Sequence, residues 1–212
     1  MDQTPQLKPL SYSPRQEDER LVSGKGQFAD DLPHDEFLVG YVVRSPYPHA
    51  VIRQIDTEDA LQSSGVTNIF TAEDLLADGV GGLPCVSSFT GPDGAPLFKP
   101  PRPVLATDRV RHVGEPVAFV VADSLANAIE AAESIEIDFE ELPSNSDVEK
   151  AFTGATQIWD EAKNNLCYDF VRGDEQQVEE LFAESNHVSS IKVHHPRMAI
   201  TPIEPRSAAA QF

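Results

Sequence analysis

Residues 110–143 read VRHVGEPVAFVVADSLANAIEAAESIEIDFEELP. Glu115 to Asp123 is an almost unbroken apolar run, which suits a strand buried on both faces. Ser124 then offers a side-chain oxygen to the free amides of a helix start, and SLANAIEAAES predicts a helix. Ala126, Ile129 and Ala132 fall near one stripe, so that stripe is the expected buried face. From Ile135 the period changes to two. Ile135, Ile137 and Phe139 point one way, and Glu136, Asp138 and Glu140 the other, as in a strand with one wet face. Strand, helix and strand in succession indicate an α+β domain.

The elements upstream fit the same class. EFLVGYVVRS from Glu36 is rich in strand-forming residues and is broken by Pro46 and Pro48; AVIRQID, residues 50–56, alternates. TEDALQSSG predicts a short helix with Thr57 as N-cap and Gly65 as its stop. VTNIF, residues 66–70, predicts another strand. In TAEDLLADG, Thr71 stands as N-cap with Asp74 at capping-box spacing. A long loop follows, from Gly79 to Pro103, of the length that is either functional or flexible. Beyond a boundary at Pro143 to Asp147 come a loop-rich stretch with Trp159, a helix in DEQQVEELFAES, and an expected strand from His187 to His194. The division is residues 1–20 as a polar leader, 21–147 as the main domain and 148–212 as the opening of a second.

Composition narrows the function. Sixteen Lys and Arg face 35 Asp and Glu, a formal charge of −19 over 212 residues. Such a chain repels phosphate backbones and anionic membrane surfaces, which argues against nucleic acid as a partner. No stretch approaches the ~20 apolar residues of a membrane span, and the first residues lack the apolar centre of a secretory signal. The two cysteines, Cys85 and Cys167, form no Cys-x-x-Cys; free buried thiols and a cytoplasmic location are expected. Two thiols are too few for an iron–sulfur cluster held by this chain alone.

No catalytic constellation emerges from the residues. Gly24-Lys25-Gly26 lacks the third glycine of a dinucleotide loop and the Lys-Ser/Thr of a Walker loop, so a tight turn is expected. Asp30 and Asp31 read as turn residues bonded to nearby amides. His187, His194 and His195 would diverge on a strand, and His49 and His112 are isolated. Ser45-Pro46 lies in no nucleophile elbow. Glu136, Asp138, Glu140 and Glu141 read as a solvated strand face, with no pair singled out for acid–base work.

Five segments in order carry a resemblance: RQEDERLVSGKGQFADD (residues 15–31), VVRSPYPHAVIRQIDTEDA (42–60), GVTNIFTAEDL (65–75), residues 110–143, and PIEPRSAAA (202–210). Together they resemble the N-terminal part of the large, molybdopterin-binding subunit of the molybdenum hydroxylases, the family of xanthine dehydrogenase, aldehyde oxidase and aerobic carbon monoxide dehydrogenase. The resemblance implies an a/b hammerhead domain, a mixed sheet with packed helices, followed by a truncated start of a molybdenum-cofactor-binding domain. It implies an oxidoreductase in the complete protein, and a molybdenum–molybdopterin cofactor, in the cytosine dinucleotide form. It further implies an FAD-binding medium subunit and an iron–sulfur small subunit as partners. The family's Phe-Gly-Gly loop and catalytic glutamate match no position here. Glu204 lies in a family segment without a known catalytic role. The resemblance therefore places no catalytic, cofactor-binding or metal-ligating residue in this chain, which is expected to be inactive alone. The other reading is a non-catalytic scaffold or split subunit that assembles with a separate catalytic chain.

Overall fold

The structure, a computed structural model, describes residues 15–32, 37–92, 94–154, 156–196, 198–202 and 206–210. Two compact units result: His34–Ile191, and a smaller one formed by Met1–Pro33 with Lys192–Phe212. Of the expected leader, residues 1–14 lie outside the described residues.

The larger unit is built on six strands: β1 (Val39–Arg44), β2 (Ala50–Asp56), β3 (Val66–Phe70), β4 (Arg109–Val110), β5 (Pro116–Ala122) and β6 (Glu136–Glu141). The α+β class is as the sequence indicates, but the strands make two antiparallel sheets rather than one mixed sheet. Their orders are β1-β5-β3 and β4-β2-β6. The apolar run of β5 pairs with β1 and β3, and β2 pairs with β4 and β6. Val117 of β5 packs with Ala50 of β2 and Val110 of β4, so the second sheet covers a face of the first instead of extending its edge.

The helix α4 (Leu125–Glu133) lies on the first sheet, and the Ser124 hydroxyl accepts the Asn127 N–H at 3.3 Å, as expected of that N-cap. Its buried face differs from the expected stripe. Ala128 and Ala131 are fully buried, Ile129 and Ala132 partly so, and Ala126 faces solvent. Alternate residues of β5 explain this. Ala118, Val120 and Ala122 present small side chains toward the helix, and a close helix–sheet approach selects alanines spaced three apart. Ile69, Ala60 and Ile135 complete that core. Val117, on the opposite face of β5, joins Ala50, Ala106 and Val110 in a second cluster, flanked by Tyr47, Ile52 and Phe139. The two-sided burial of β5 is what its continuous apolar run foretold. In β6, Ile137 and Phe139 pack inward while Glu136, Asp138 and Glu140 stay wet, also as the alternation implied.

Two short helices precede the long segment. In α2 (Glu58–Leu61) Thr57 makes no side-chain cap; Asp56 accepts the Glu58 N–H at 3.0 Å instead, its carboxylate being better placed at the strand end. In α3 (Ala72–Ala77) the Asp74 carboxylate accepts from the Thr71 N–H at 2.7 Å and from its hydroxyl at 2.8 Å. Gly79, at φ +74°, ends this helix: its N–H reaches Leu76 O and the Val80 N–H reaches Leu75 O, a Schellman stop. The bond from the Thr71 amide, followed by that from its hydroxyl, holds the Asp74 carboxyl below the usual carboxylate value. A depressed folded value stabilises above the unfolded pKa, near about 4, and loses that contribution as pH falls through the folded one. Asp74→Asn is expected to cost about 0.5–1 kcal/mol in urea melts at pH 7. The gap between the two proteins should shrink below about pH 4. A gap independent of pH would contradict the carboxylate's role.

After β6, α5 (Val148–Phe152) is capped by Asp147, and α6 (Glu175–Glu184) by Asp174, which accepts the Gln177 N–H at 3.0 Å. The expected strand over residues 187–194 is absent: the stretch carries no ladder. The Ser189-Ser190 pair breaks the alternation of Val188, Ile191 and Val193, and no described strand lies beside the stretch to pair with it.

In the smaller unit α1 (Asp18–Val22) precedes the glycines.

Candidate functional site

The glycine turn has a complete local explanation. Gly24, at φ +71°, donates to Leu21 O, and the Lys25 N–H donates to Arg20 O at 2.8 Å. This is a Schellman stop on α1, which spends on the helix end the very N–H groups a phosphate loop would need. Asp31 closes the following 3₁₀ turn by accepting the Phe28 N–H at 2.9 Å, a turn role as expected.

The other singled-out residues are scattered. Ser45 is buried in its own turn, accepting the Tyr47 N–H at 3.0 Å and donating to Tyr47 O at 3.1 Å, so its hydroxyl is no free nucleophile. His49 is buried too. Its Nδ1 lies 2.7 Å from Pro143 O, and the Leu142 N–H donates to His49 O at 2.9 Å, so this histidine clasps the end of β6 to the start of β2. His112 sits 3.5 Å from Glu115, and His187 touches Ser189 at 3.1 Å. Glu140 of the acidic face pairs with Arg53, at the point where β2 bulges. Cys85 and Cys167 are free, but half-buried rather than buried. Both lie in irregular segments, outside the packed cores of the sheets.

The densest polar construction is one the sequence reading missed. It joins β4 to residues 145–166. The Arg111 guanidinium lies over the Trp159 ring, 3.8 Å from its centroid. Its Nη1 donates to Arg109 O at 3.1 Å, and its backbone N–H donates to Glu115. Arg109 Nη1 stands 3.7 Å from Asp160. Pro101, Pro103, Thr107 and Asp108 complete a groove there of about 250 Å³. Asn165 organises the turn that presents Trp159. Its Nδ2 donates to Ala151 O and Thr156 O, both at 2.8 Å, and its Oδ1 accepts the Ile158 N–H at 2.8 Å. Asn164 and Asn165 both adopt positive φ, 57° and 56°, a conformation asparagine tolerates better than most residues. The available signal was faint: arginines two apart, and the chain's single tryptophan. A partly desolvated cation–π contact contributes roughly 0.5–2 kcal/mol to holding this segment beside β4.

The arrangement positions chain. Among the described residues no three His, Cys, Asp or Glu side chains come together to hold a metal ion, so the donor set here does not fit a metal centre. Nor is any helix among them long and apolar enough to cross a membrane.

Comparison with known proteins supplies what the side chains do not. Residues 23–143 match the family model described as aldehyde oxidase and xanthine dehydrogenase, a/b hammerhead domain. The chain is 34% identical over 201 residues to the nicotine 6-hydroxylase large subunit of Paenarthrobacter nicotinovorans, covering 94% of this chain and 24% of that one. It is 29% identical over 205 residues to the carbon monoxide dehydrogenase large chain of Afipia carboxidovorans, covering 90% and 24%. Among solved structures, the CO dehydrogenase of Oligotropha carboxidovorans superposes with a TM-score of 0.69 at 29% identity, over 82% of this chain and 22% of that one. Quinoline 2-oxidoreductase from Pseudomonas putida 86 gives 0.58 at 36%, over 68% and 18%. The chain thus spans about a quarter of the length of the curated relatives it matches.

Proposed function

Because the chain belongs to the aldehyde oxidase and xanthine dehydrogenase family of molybdenum hydroxylases, we propose that it is the framework quarter of such a large subunit. On this reading residues 21–147 are the hammerhead domain, residues 1–20 lead into it, and residues 148–212 open the cofactor-binding domain. The observation that carries it is the hammerhead match over residues 23–143. The complete enzyme oxidises a carbon centre with water as oxygen source, and molybdenum–molybdopterin, in the cytosine dinucleotide form, supplies the redox chemistry when bound. Protein in such a system positions the cofactor and guides electrons away from it. An FAD-binding medium subunit and an iron–sulfur small subunit in the cytoplasm are the proposed electron-transfer partners. Two half-buried thiols on this chain suit a subunit that leaves the iron–sulfur clusters to others.

A graft tests this. The equivalent quarter of the nicotine 6-hydroxylase large subunit is replaced by this chain, and the chimera is produced with that enzyme's other subunits. A folded chimera that loads molybdenum is expected. A folded chimera that excludes the metal, where the parent loads it, would contradict the framework role.

A further inference from the structure

The segment Gly79–Pro103 is unlike the rest of the chain. It holds six of the 17 prolines and only three charged residues, Asp93, Lys99 and Arg102, in a protein whose acidic residues number 35. It is also no slack loop. Leu83 N–H donates to Arg102 O at 2.8 Å, Leu97 N–H to Phe89 O at 3.2 Å, and Gly91 N–H to Ala95 O at 2.8 Å, folding the segment back on itself as an arm. Phe98 N–H donates to Cys167 O at 2.8 Å and fastens the arm to the stretch that follows Asn165.

Across that fastening three rings meet. Phe89 stacks on Tyr168 with centroids 5.4 Å apart, and its ring tilts toward Phe170 at 5.5 Å. A cluster that served only to close the arm would bury its rings. These keep 42%, 50% and 52% of their surface exposed. Rigid aromatic side chains backed by fixed main chain have the composition of an interface centre.

We propose that the Phe89–Tyr168–Phe170 cluster anchors this unit onto the polypeptide that makes up the other three quarters of the large subunit in the relatives. The proposal rests on the framework reading above. The occupant follows from two observations. Uncovered apolar surface continues along the chain from the cluster, through Val178, Leu181 and Phe182 of α6, to Val188 and Ile191. The relatives carry about three times as much further polypeptide as is present here. Contiguous exposed apolar surface marks an interaction site.

The test uses a tagged probe: the complementary three quarters of the nicotine 6-hydroxylase large subunit, produced as a separate chain beside this one. Capture and Kd are measured for the wild-type chain, for Phe89→Ser/Tyr168→Ser/Phe170→Ser, and for Leu125→Ser, an exposed apolar residue on α4. Circular dichroism and Trp159 fluorescence check that each variant is folded. The triple variant should bind at least about 100-fold more weakly, while Leu125→Ser binds as wild type. Equal binding by the triple variant would remove the anchor role and leave the framework reading standing. No capture of the wild-type chain would count against the framework reading and the anchor together. A wild-type homodimer that the triple variant abolishes, seen by light scattering, would reassign the cluster to a second copy and overturn the proposal.

Discussion

Ala128→Leu is expected to destabilise the larger unit by about 3 kcal/mol, while Ala126→Leu, two residues away on the same helix, changes stability by less than about 0.5 kcal/mol. Ala128 has no exposed surface and lies over Ala118, Val120 and Ala122 of β5. Three added carbon atoms have no void to enter there. Either α4 lifts from the sheet and uncovers Ile69 and Ile135, or the leucine takes a strained rotamer against β5. Ala126 points into water, so its replacement meets solvent. A domain of this size is stable by about 5–15 kcal/mol, so the loss would be plain in a urea titration. Equal tolerance of both substitutions would mean that α4 is not seated on alanines.

The second large effect is all-or-none. The purified chain is expected to carry no stoichiometric molybdenum, even from cells that make the cofactor. A bound metal or molybdopterin needs converging donors, and among the described residues the candidate side chains are bonded to backbone instead. Asp31, Asp74, Asp147 and Asp174 cap turns and helices, Ser45 closes its own turn, and His49 clasps Pro143. Asn165, the best-connected amide, spends both ends of its side chain on backbone groups within fourteen residues.

These cases also separate what was legible in the sequence from what was not. The β5–α4–β6 stretch could be read because each of its signals is local: an apolar run, a serine cap, a two-residue alternation. The glycine turn was equally legible as a turn, since both Schellman bonds close within six residues. What escaped reading depends on distant partners. The buried face of α4 shifted by two residues because β5 decides which alanines fit beneath the helix. The division into two sheets depends on pairing β5 and β2 with strands far away in sequence. Residues 187–194 carry strand-forming residues but have no neighbour among the described strands to pair with. Arg111 over Trp159 joins residues 48 apart, and neither arginine nor tryptophan announces the other. The candidate site followed the same rule. No local motif for chemistry was found, and the groups that matter for positioning meet only in the fold.

The most direct test of the central claim is elemental analysis of the chain, purified from a host that synthesises molybdopterin, with the grafted large subunit analysed beside it. Molybdenum far below one atom per chain, alongside a graft that loads the metal, is the predicted result. One atom per chain in the isolated protein, surviving gel filtration, would contradict the account, because these residues would then grip the metal themselves.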